Sequence, residues 1–593
     1  MSEKHCHRVR QEIVFGILLL ALVGLAARLV LLIRNGSCQV VQQAVRQQRM
    51  VIPLPGRVGS IRACASGSFP LLAGSRQAPL AYADPSLLSE LQWQEQTLHL
   101  AEILHSQLTA PDRQVRRWRM YDEIISRRRQ GRRYHVLGRD LSERQVEQIR
   151  QLDCRAVGIQ HEWKREYPNG PLASAIVGFR RRDGVAGGGL ELLLDDVLAS
   201  RDGRRVMLAD ARRRPIWPVC QDSVLPSDGS DVFLTIDLNI QRFLSEAVGD
   251  SVQKFHAQWG TGIVINPHTG EILAMCSAPT FDPNRYSTTD PEAMANLAIS
   301  APVEPGSVLK PIYAAMAVQL GLVSWQSRFD VENGVYRAQR GGTIRDTHPE
   351  KVLSLRDIVI RSSNIGMAKI GEILGNERSY KIARHFGLGE LTGIELPAES
   401  AGILRDLEDW DGYSMRRVPF GQEISTTTLQ LGLAFSALAN GGLLHKPRLI
   451  HHITDPDGKV RTPQVAPPRR VLSRDVAASA LDVLREVVED EHGTGENCRL
   501  SRWTSFGKTG TAQVPNRHGY NDRDYLGSFV GGAPAEKPAL LVVISIYKPQ
   551  RSRGYYGGTV AAPYVARVLE QSLEYLDVPP DKSVEALART PGL

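Results

Sequence analysis

Three short motifs occur in a fixed order in the second half of the chain. They are Ser307–Lys310, which reads Ser-Val-Leu-Lys after a Pro-Gly turn, then Ser362–Asn364, and then Lys508–Thr511, which reads Lys-Thr-Gly-Thr. Ser-x-x-Lys by itself carries little information because it occurs four times, whereas Ser-x-Asn and Lys-Thr-Gly occur once each. The order and uniqueness of the set predict a single domain in which these distant segments converge.

A serine followed three residues later by a lysine is suited to nucleophilic catalysis. Residues three apart on a helix share one face, so we expect the Lys310 amine beside the Ser307 hydroxyl. A serine hydroxyl becomes a good nucleophile when a neighbouring base accepts its proton, so Lys310 must be neutral for part of the time. Burial, or a nearby cation such as Lys508, would lower its pKa. A helix that starts at Ser307 would also direct backbone N–H groups towards a developing oxyanion.

The other two motifs supply polar groups for proton relay and substrate binding. We expect Ser362 and Asn364 on a loop between helices, with the serine relaying a proton and the amide orienting the substrate. Gly510 would allow an extended peptide to approach a strand closely. The donors expected to bind a terminal carboxylate are Lys508, Thr509 and Thr511.

An apolar run from Ile13 to Ile33 predicts a membrane-spanning helix. Its length is close to the roughly 20 residues that a bilayer requires, and Arg28 lies near its far end, where it can snorkel. A cleaved signal peptide is the alternative, although its apolar core would normally end sooner. Basic residues ahead of the run favour a single-pass anchor with residues 1–12 in the cytoplasm and the rest of the chain outside it.

Residues 34–227 and 228–577 differ in composition, and residues 578–593 form a short tail. The first part is polar and Arg-rich, with a predicted helix around Asp84–Leu108 and a basic run, Arg113–Arg133. That run fits a solvated surface, or contact with anionic lipid, an anionic polymer or a protein. The net charge of +8 and pI near 9.1 select none of these partners.

The second part has the strand and helix order of an α+β domain. A β-branched strand at Asp231–Asp237 precedes a helix at Leu238–Phe255, and the turn His268–Gly270 joins two strands of a hairpin. Helical patterns dominate residues 353–443. We therefore predict an antiparallel sheet with helices on its faces. The later predicted elements are strands at Trp503–Gln513, Tyr525–Ala533 and Ala539–Tyr547, and a helix at Val560–Tyr575.

Seven cysteines are scattered singly, with no Cys-x-x-Cys pair. This spacing argues against the usual zinc and redox sites, and the odd count argues against a full disulfide framework. We expect mostly buried, unreactive thiols.

With these motifs the chain resembles the class B penicillin-binding proteins, which are monofunctional transpeptidases of septal or lateral wall synthesis. The resemblance implies an anchor at 13–33, an elongated pedestal or dimerisation-type domain at 34–227, and a penicillin-binding transpeptidase domain with a helical subdomain at 228–577. No glycosyltransferase domain precedes the pedestal, unlike in class A members. Further matching segments are Arg165–Ala173, Gly178–Phe179, Gly189–Glu191, Leu234–Asp237, Glu304–Gly306, Thr428–Gln430, Ala439–Gly442 and Ser528–Gly531.

The resemblance also implies an activity and a location. Ser307 would attack a D-Ala-D-Ala stem peptide, release the last D-Ala and pass the acyl group to a neighbouring stem amine; β-lactams would acylate the same serine. The implied location is the inner membrane with a periplasmic catalytic domain, and the implied partners are a membrane glycosyltransferase and other division or wall-synthesis proteins. Neither a metal, an organic cofactor nor nucleic acid is expected. The implied catalytic residues are Ser307, Lys310, Ser362, Asn364 and Lys508, with Thr509, Gly510 and Thr511 binding substrate.

Three family patterns are altered, at Arg57–Gly67, Asn296–Ala298 and Gly421–Glu423. They affect pedestal partners and loop geometry more than chemistry. Chain length and the lack of additional C-terminal domains favour the division branch over the elongation branch. A β-lactamase or penicillin sensor would share the motifs, but the Glu-x-x-Leu-Asn string of class A β-lactamases is absent. A non-enzymatic wall-synthesis scaffold and a carboxypeptidase are the other readings.

Overall fold

The computed structural model describes residues 3–210, 215–338, 342–516 and 519–582. The chain divides into two compact units. The first comprises Met1–Arg57 and Ser200–Asp228, and the second comprises Val58–Ala199 and Gly229–Leu593. The predicted tail at 578–593 lies outside the described residues from 583 onwards, as do the first two residues of the predicted cytoplasmic segment.

In the first unit, one helix of 46 residues, Glu3–Gln48, precedes a three-stranded antiparallel sheet. Within this helix, Arg8–Leu31 is a 24-residue stretch with a mean hydropathy of 2.6, which is long and apolar enough to cross a bilayer. The helix continues past the predicted anchor end at Ile33, because no proline interrupts the sequence before Pro53. The strands of the sheet are Arg49–Leu54, Gly203–Ala209 and Pro215–Pro218.

In the second unit, a seven-stranded sheet joins the segment before residue 200 to the segment after residue 229. Ile61–Cys64 pairs in parallel with Asp231–Asp237 and antiparallel with Leu71–Ala83. This sheet therefore ties the polar first part of the chain to the start of the α+β part. Six strands lie in the order Val460–Arg461, Ile450–Thr454, Asp231–Asp237, Ile61–Cys64, Leu71–Ala83 and His135–Arg139, and Val157–Glu166 also pairs with Leu71–Ala83.

Two helices in this region correspond to features of the sequence, the first to the predicted helix around Asp84–Leu108 and the second to the basic run Arg113–Arg133. Glu90–Leu104 begins at Ser89, whose side chain forms a capping box with Gln92. Ala110–Arg129 contains most of the basic run and has three arginines in its last turn, where the helix dipole favours positive charge. The shorter helices here are Glu143–Gln151, Ser174–Val177, Gly189–Leu193 and Asp195–Leu198.

A five-stranded antiparallel sheet forms the centre of the α+β part. Helices Leu238–Phe255 and Ala562–Tyr575 cover one face, where Leu244, Phe529 and Val565 belong to one buried cluster. The predicted strands, the hairpin and the final helix are all present, so the α+β prediction is confirmed. In order, the strands are Ile272–Ala278, Trp259–Ile265, Leu540–Tyr547, Gly519–Ala533 and Phe506–Asn516.

The other face carries a helical subdomain, but the helical block predicted over 353–443 is interrupted. Residues 386–427 contain only one short α-helix, Ser414–Arg417. Glycines with positive φ, including Gly387, Gly389 and Gly393, end the preceding helix and prevent another from forming. The helices on this side are Lys310–Gln319, Leu355–Ile360, Asn364–His385, Thr428–Ala439 and Arg474–Glu489.

Short elements complete this part of the chain. Two further α-helices are Leu297–Ser300 and Gly557–Val560. Four two-stranded ladders pair Arg328–Asp330 with Val352–Ser354, Val335–Arg337 with Thr343–Arg345, Ile403–Leu404 with Ile424–Ser425, and Leu443–Leu444 with Arg469–Arg470.

The five cysteines whose side chains are described, Cys64, Cys154, Cys220, Cys276 and Cys498, are free thiols. Two of them, Cys276 and Cys498, are buried, and Cys220 is exposed. The side chains of Cys6 and Cys38 lie outside the described residues.

Candidate active site

Ser307 lies in a short 3-10 helix, Gly306–Leu309, that leads directly into helix Lys310–Gln319. We call Gly306–Leu309 the serine turn. Gly306 has a φ of 57°, and its N–H donates to the Gly421 carbonyl at 3.0 Å, which fixes the start of the turn. Ser307 is half-buried, and its hydroxyl has no hydrogen-bond partner among the side chains that the structure describes.

The amine of Lys310 joins the first motif to the second. Its Nζ donates to the Ser362 carbonyl oxygen at 2.5 Å, to Ser362 Oγ at 3.2 Å and to Asn364 Oδ1 at 2.8 Å. Lys310 is fully buried, and these three acceptors are uncharged. They therefore orient the amine without stabilising its charged form as strongly as a carboxylate would.

Ser362 is held in a strained backbone conformation. Its φ of 61° lies in the left-handed region, which costs a residue with a side chain about 1–3 kcal/mol. Ser362 connects helix Leu355–Ile360 to helix Asn364–His385, and Ser363 caps the second helix by accepting the Gly366 N–H at 2.9 Å. In this conformation both the carbonyl and the hydroxyl of Ser362 face Lys310.

The third motif meets a hydroxyl from a separate loop. Thr494 Oγ1 lies 3.5 Å from Lys508 Nζ and 2.9 Å from Thr509 Oγ1, and Lys508 Nζ lies 3.3 Å from Thr509 Oγ1. Lys508 is fully buried on strand Phe506–Asn516, opposite Val530. One amine and two hydroxyls thus form a compact group of hydrogen-bond donors suited to a carboxylate.

Gly510 packs the third motif against the serine turn. A Cβ atom at Gly510 would lie 2.7 Å from Val308 Cγ2 and 2.8 Å from the Pro305 carbonyl oxygen. The missing side chain therefore faces the serine turn, which is a different reason for the glycine from the substrate approach inferred from sequence. The next residue, Thr511, accepts the Gly557 N–H at 3.1 Å, so its hydroxyl proton is available for donation.

Burial and charge set the protonation of the two lysines. Burial lowers the pKa of Lys310 to about 7, and the negative charge of Asp346 opposes that shift. Burial also lowers the pKa of Lys508 well below its ordinary value, and the positive charge of Lys310 lowers it further. Because the two ammonium groups repel each other at a buried site, the pair is not fully protonated near neutral pH. Lys310 is therefore partly neutral in the pH range where a base must accept a proton.

Motif spacing missed two residues that touch the motifs. Asp346 accepts hydrogen bonds from the second motif, and Thr494 contacts the third. Asp346 follows a two-stranded ladder, and Thr494 lies on a loop after helix Arg474–Glu489. Neither residue stands at a helical or strand interval from a motif, so the sequence contains no local signal for its role.

Glu423 occupies a position where the family pattern has glycine. It keeps the backbone conformation that a glycine would adopt, with a φ of 61°. Its carboxylate accepts Arg405 Nη2 at 2.6 Å and Ser414 Oγ at 2.8 Å, and Arg417 lies 3.3 Å away. Side-chain bonds therefore hold this loop, which also contains Gly421, the residue that accepts the serine turn's first N–H.

A serine turn packed against the strand that carries one buried lysine, with a second buried lysine three residues after the serine, is characteristic of serine acyltransferases of the penicillin-binding type. The family model described as Penicillin binding protein transpeptidase domain matches residues 260–570, and that described as Penicillin-binding Protein dimerisation domain matches residues 67–234. The chain belongs to the penicillin-binding transpeptidase family, and the dimerisation domain ahead of the transpeptidase domain makes it a class B member.

Individual relatives agree with this assignment. The protein named Probable peptidoglycan D,D-transpeptidase PenA of Neisseria meningitidis is 31% identical over 464 residues, covering 78% of this chain and 77% of that protein. Stage V sporulation protein D of Bacillus subtilis is 33% identical over 457 residues, covering 75% of this chain and 69% of that protein. Penicillin binding protein 3 of Mycobacterium tuberculosis, solved with aztreonam, has a TM-score of 0.68 and 27% identity over 90% of this chain and 98% of that chain.

Proposed function

We propose that this chain is a peptidoglycan D,D-transpeptidase that cross-links stem peptides through an acyl-Ser307 intermediate and releases D-Ala. The observation that carries the proposal is the hydrogen bonding of the buried Lys310 amine to Ser362 and Asn364, one turn after Ser307. Family membership and the names of the relatives support the same chemistry.

Acylation begins with attack of Ser307 Oγ on the carbonyl carbon of the penultimate D-Ala. A hydroxyl without a fixed partner can rotate towards neutral Lys310, which accepts its proton. The tetrahedral intermediate collapses, the C–N bond breaks, and the leaving amine of the terminal D-Ala takes a proton from Lys310 through the Ser362 hydroxyl. Proton transfer by positioned groups of this kind contributes about 10²- to 10⁴-fold to a rate.

The third motif binds the carboxylate of the terminal D-Ala. Thr511 donates its hydroxyl proton, Thr509 redirects to the carboxylate the proton that it donates to Thr494 in the free site, and Lys508 supplies an amine from the same strand. A bound carboxylate favours the charged form of Lys508 and so raises its pKa towards the ordinary value. Substrate binding therefore offsets the cost of placing a second ammonium group near Lys310.

In the second half of the reaction, a stem amine attacks the acyl-Ser307 ester. The amine gives up its proton to Lys310, the ester C–O bond breaks, and Ser307 Oγ regains a proton as the new amide forms. Hydrolysis would need a carboxylate able to activate water. The acidic group near Lys310, Asp346, instead accepts three hydrogen bonds, two from the second motif and one from the Ile365 N–H. This favours transfer to an amine over a β-lactamase reaction.

We also propose the cellular setting. Residues 1–12 lie in the cytoplasm, 13–33 cross the inner membrane, 34–227 form a pedestal, 228–577 form a periplasmic transpeptidase domain, and 578–593 form a tail. Septal wall synthesis with a membrane glycosyltransferase partner is the favoured role, and lateral wall synthesis is the alternative. The long apolar helix supports the anchor. Depletion of the protein followed by microscopy tests the role, because filamentous cells indicate septal work and round cells indicate lateral work.

Covalent labelling with a fluorescent penicillin tests the nucleophile. The wild type should form a stable adduct, and Ser307→Ala should form none. Ser545→Ala is a matched control, because Ser545 also begins a Ser-x-x-Lys sequence but is buried in the sheet, two strands from the third motif. Labelling of Ser307→Ala would refute the assignment.

The fate of the adduct and of a natural substrate separates the enzyme classes. Release of D-Ala from a stem pentapeptide, with a cross-linked product detected by mass spectrometry, supports transpeptidation. Loss of the penicilloyl adduct within seconds would instead indicate a β-lactamase, and D-Ala release without a cross-linked product would indicate a carboxypeptidase.

A further inference from the structure

Asp346 ties the second motif to a neighbouring ladder. Its Oδ1 accepts the Asn364 N–H at 2.6 Å and the Ile365 N–H at 3.1 Å, and its Oδ2 accepts the Ser363 hydroxyl at 2.5 Å. The adjacent Arg345 carbonyl accepts Asn364 Nδ2 at 3.0 Å. The carboxylate therefore caps the first turn of helix Asn364–His385 and fixes the backbone that carries Ser362 and Asn364.

The same carboxylate is the acidic group that acts on Lys310. Two charged residues interact electrostatically with Lys310. Asp346, which follows strand Thr343–Arg345, raises the pKa of Lys310, and Lys508 on strand Phe506–Asn516 has its own pKa lowered by Lys310. Within the described part of the chain, no other charge shifts the pKa of Lys310 from the helices packed around it, which are Leu355–Ile360, Asn364–His385, Thr428–Ala439 and Arg474–Glu489.

We propose that Asp346 is a positioning residue that holds Ser362 and Asn364 around Lys310 and supplies the negative charge that lets Lys310 carry a proton during the reaction. This inference rests on the proposed acyl-Ser307 chemistry. Lys310 must be neutral to accept the serine proton and charged to return one to the leaving amine. Burial favours the neutral form, so a fixed anion is needed to keep the charged form accessible.

Asp346→Asn separates the charge of this residue from its hydrogen bonds. The amide oxygen can still accept the Asn364 and Ile365 N–H groups, and its NH₂ can donate to Ser363 Oγ. Loss of the negative charge should lower the pKa of Lys310, so the base form appears at lower pH. The acidic limb of the second-order acylation rate by a fluorescent penicillin should then move to lower pH by about one unit.

Loss of the negative charge of Asp346 should also change the rate of the proton-transfer step itself. Because the ammonium that forms on Lys310 when it accepts the Ser307 proton would be less stabilised, the rates of penicillin acylation and of D-Ala release from a stem pentapeptide by Asp346→Asn should both fall, by up to about tenfold near pH 8. A purely structural role of Asp346 would lower both rates together and leave the pH midpoint in place.

Two controls isolate these effects. Glu350→Gln removes a nearby acidic charge that pairs with Arg361, and it should leave the midpoint unchanged. Ser363→Ala removes one hydrogen bond to Asp346 while keeping its charge, so it should lower the melting temperature without moving the midpoint. If Asp346→Asn shows no cooperative melting, Asp346→Glu replaces it. That variant retains the charge, so its midpoint should match the wild type although its rate is lower.

An unshifted midpoint in a folded Asp346→Asn enzyme would overturn this inference, as would an equal shift in Glu350→Gln or a shifted midpoint in Asp346→Glu. Failure of the proposed function is distinguishable from these outcomes. In that case the wild type itself would form no adduct that depends on Ser307.

Discussion

Replacing Gly510 with alanine is a direct test of how the third motif is held against the serine turn. The added Cβ would lie 2.7 Å from Val308 Cγ2 and 2.8 Å from the Pro305 carbonyl oxygen, whereas an ordinary contact begins at 3.4 Å. Val308 is fully buried, and the second neighbour is a backbone atom, so neither can move aside easily. The strand and the serine turn must therefore separate by about 0.7 Å.

This separation has a calculable effect on rate and stability. Overpacking of a tightly packed site costs about 1–3 kcal/mol of folding free energy. A displacement of about 1 Å at a reacting centre can lower a rate about 100-fold, so a shift near 0.7 Å should lower acylation about tenfold or more. Lys508 lies two residues earlier on the same strand, so its amine would move away from Lys310 as well.

The measurement is the second-order rate of acylation by a fluorescent penicillin, together with a thermal melt. Gly249→Ala is the matched control, because it lies in helix Leu238–Phe255 and a Cβ there meets nothing within 4 Å. The control should acylate at the wild-type rate and be more stable by up to about 1 kcal/mol. If folded Gly510→Ala acylates as fast as the wild type, the proposed coupling between strand and turn is wrong.

Three further predictions concern other parts of the site. Ser362→Gly should raise the melting temperature by about 2 °C, because glycine adopts a φ of 61° without strain. The same variant should lower the rate of acylation about 100-fold, because it lacks the hydroxyl. An unchanged rate of acylation would exclude a proton relay through Ser362. Thr494→Val should raise the β-lactam concentration needed for half-maximal acylation while leaving the limiting rate constant unchanged, since Thr494 contacts Lys508 and Thr509 but not Ser307. Acylation by the wild type should rise with pH through about 7, where Lys310 loses its proton, and a rate that is flat between about pH 5 and about pH 8 would contradict Lys310 as the base.

The chemical groups, the strands and the apolar helix could be predicted from the sequence alone, because each depends on residues close together in the chain. The short apolar, β-branched run that predicts a strand at Ala539–Tyr547 and the long apolar run after Arg10 are local properties. The three motifs likewise identified the serine, the lysines and the asparagine by type and order. The α+β architecture and the class B family followed from these features and are confirmed by the fold and by the matched domains.

How those groups act could not be predicted in this way, since distance and burial depend on residues far apart in the chain. A lysine has an ordinary pKa until the fold removes water from it, and only the assembled site brings Asp346 close enough to act on Lys310 and Lys310 close enough to act on Lys508. The contact of Thr494 with the third motif arises in the same way. The helical pattern also failed to predict the irregular stretch at 386–427, because glycines with positive φ override the helix propensity of their neighbours.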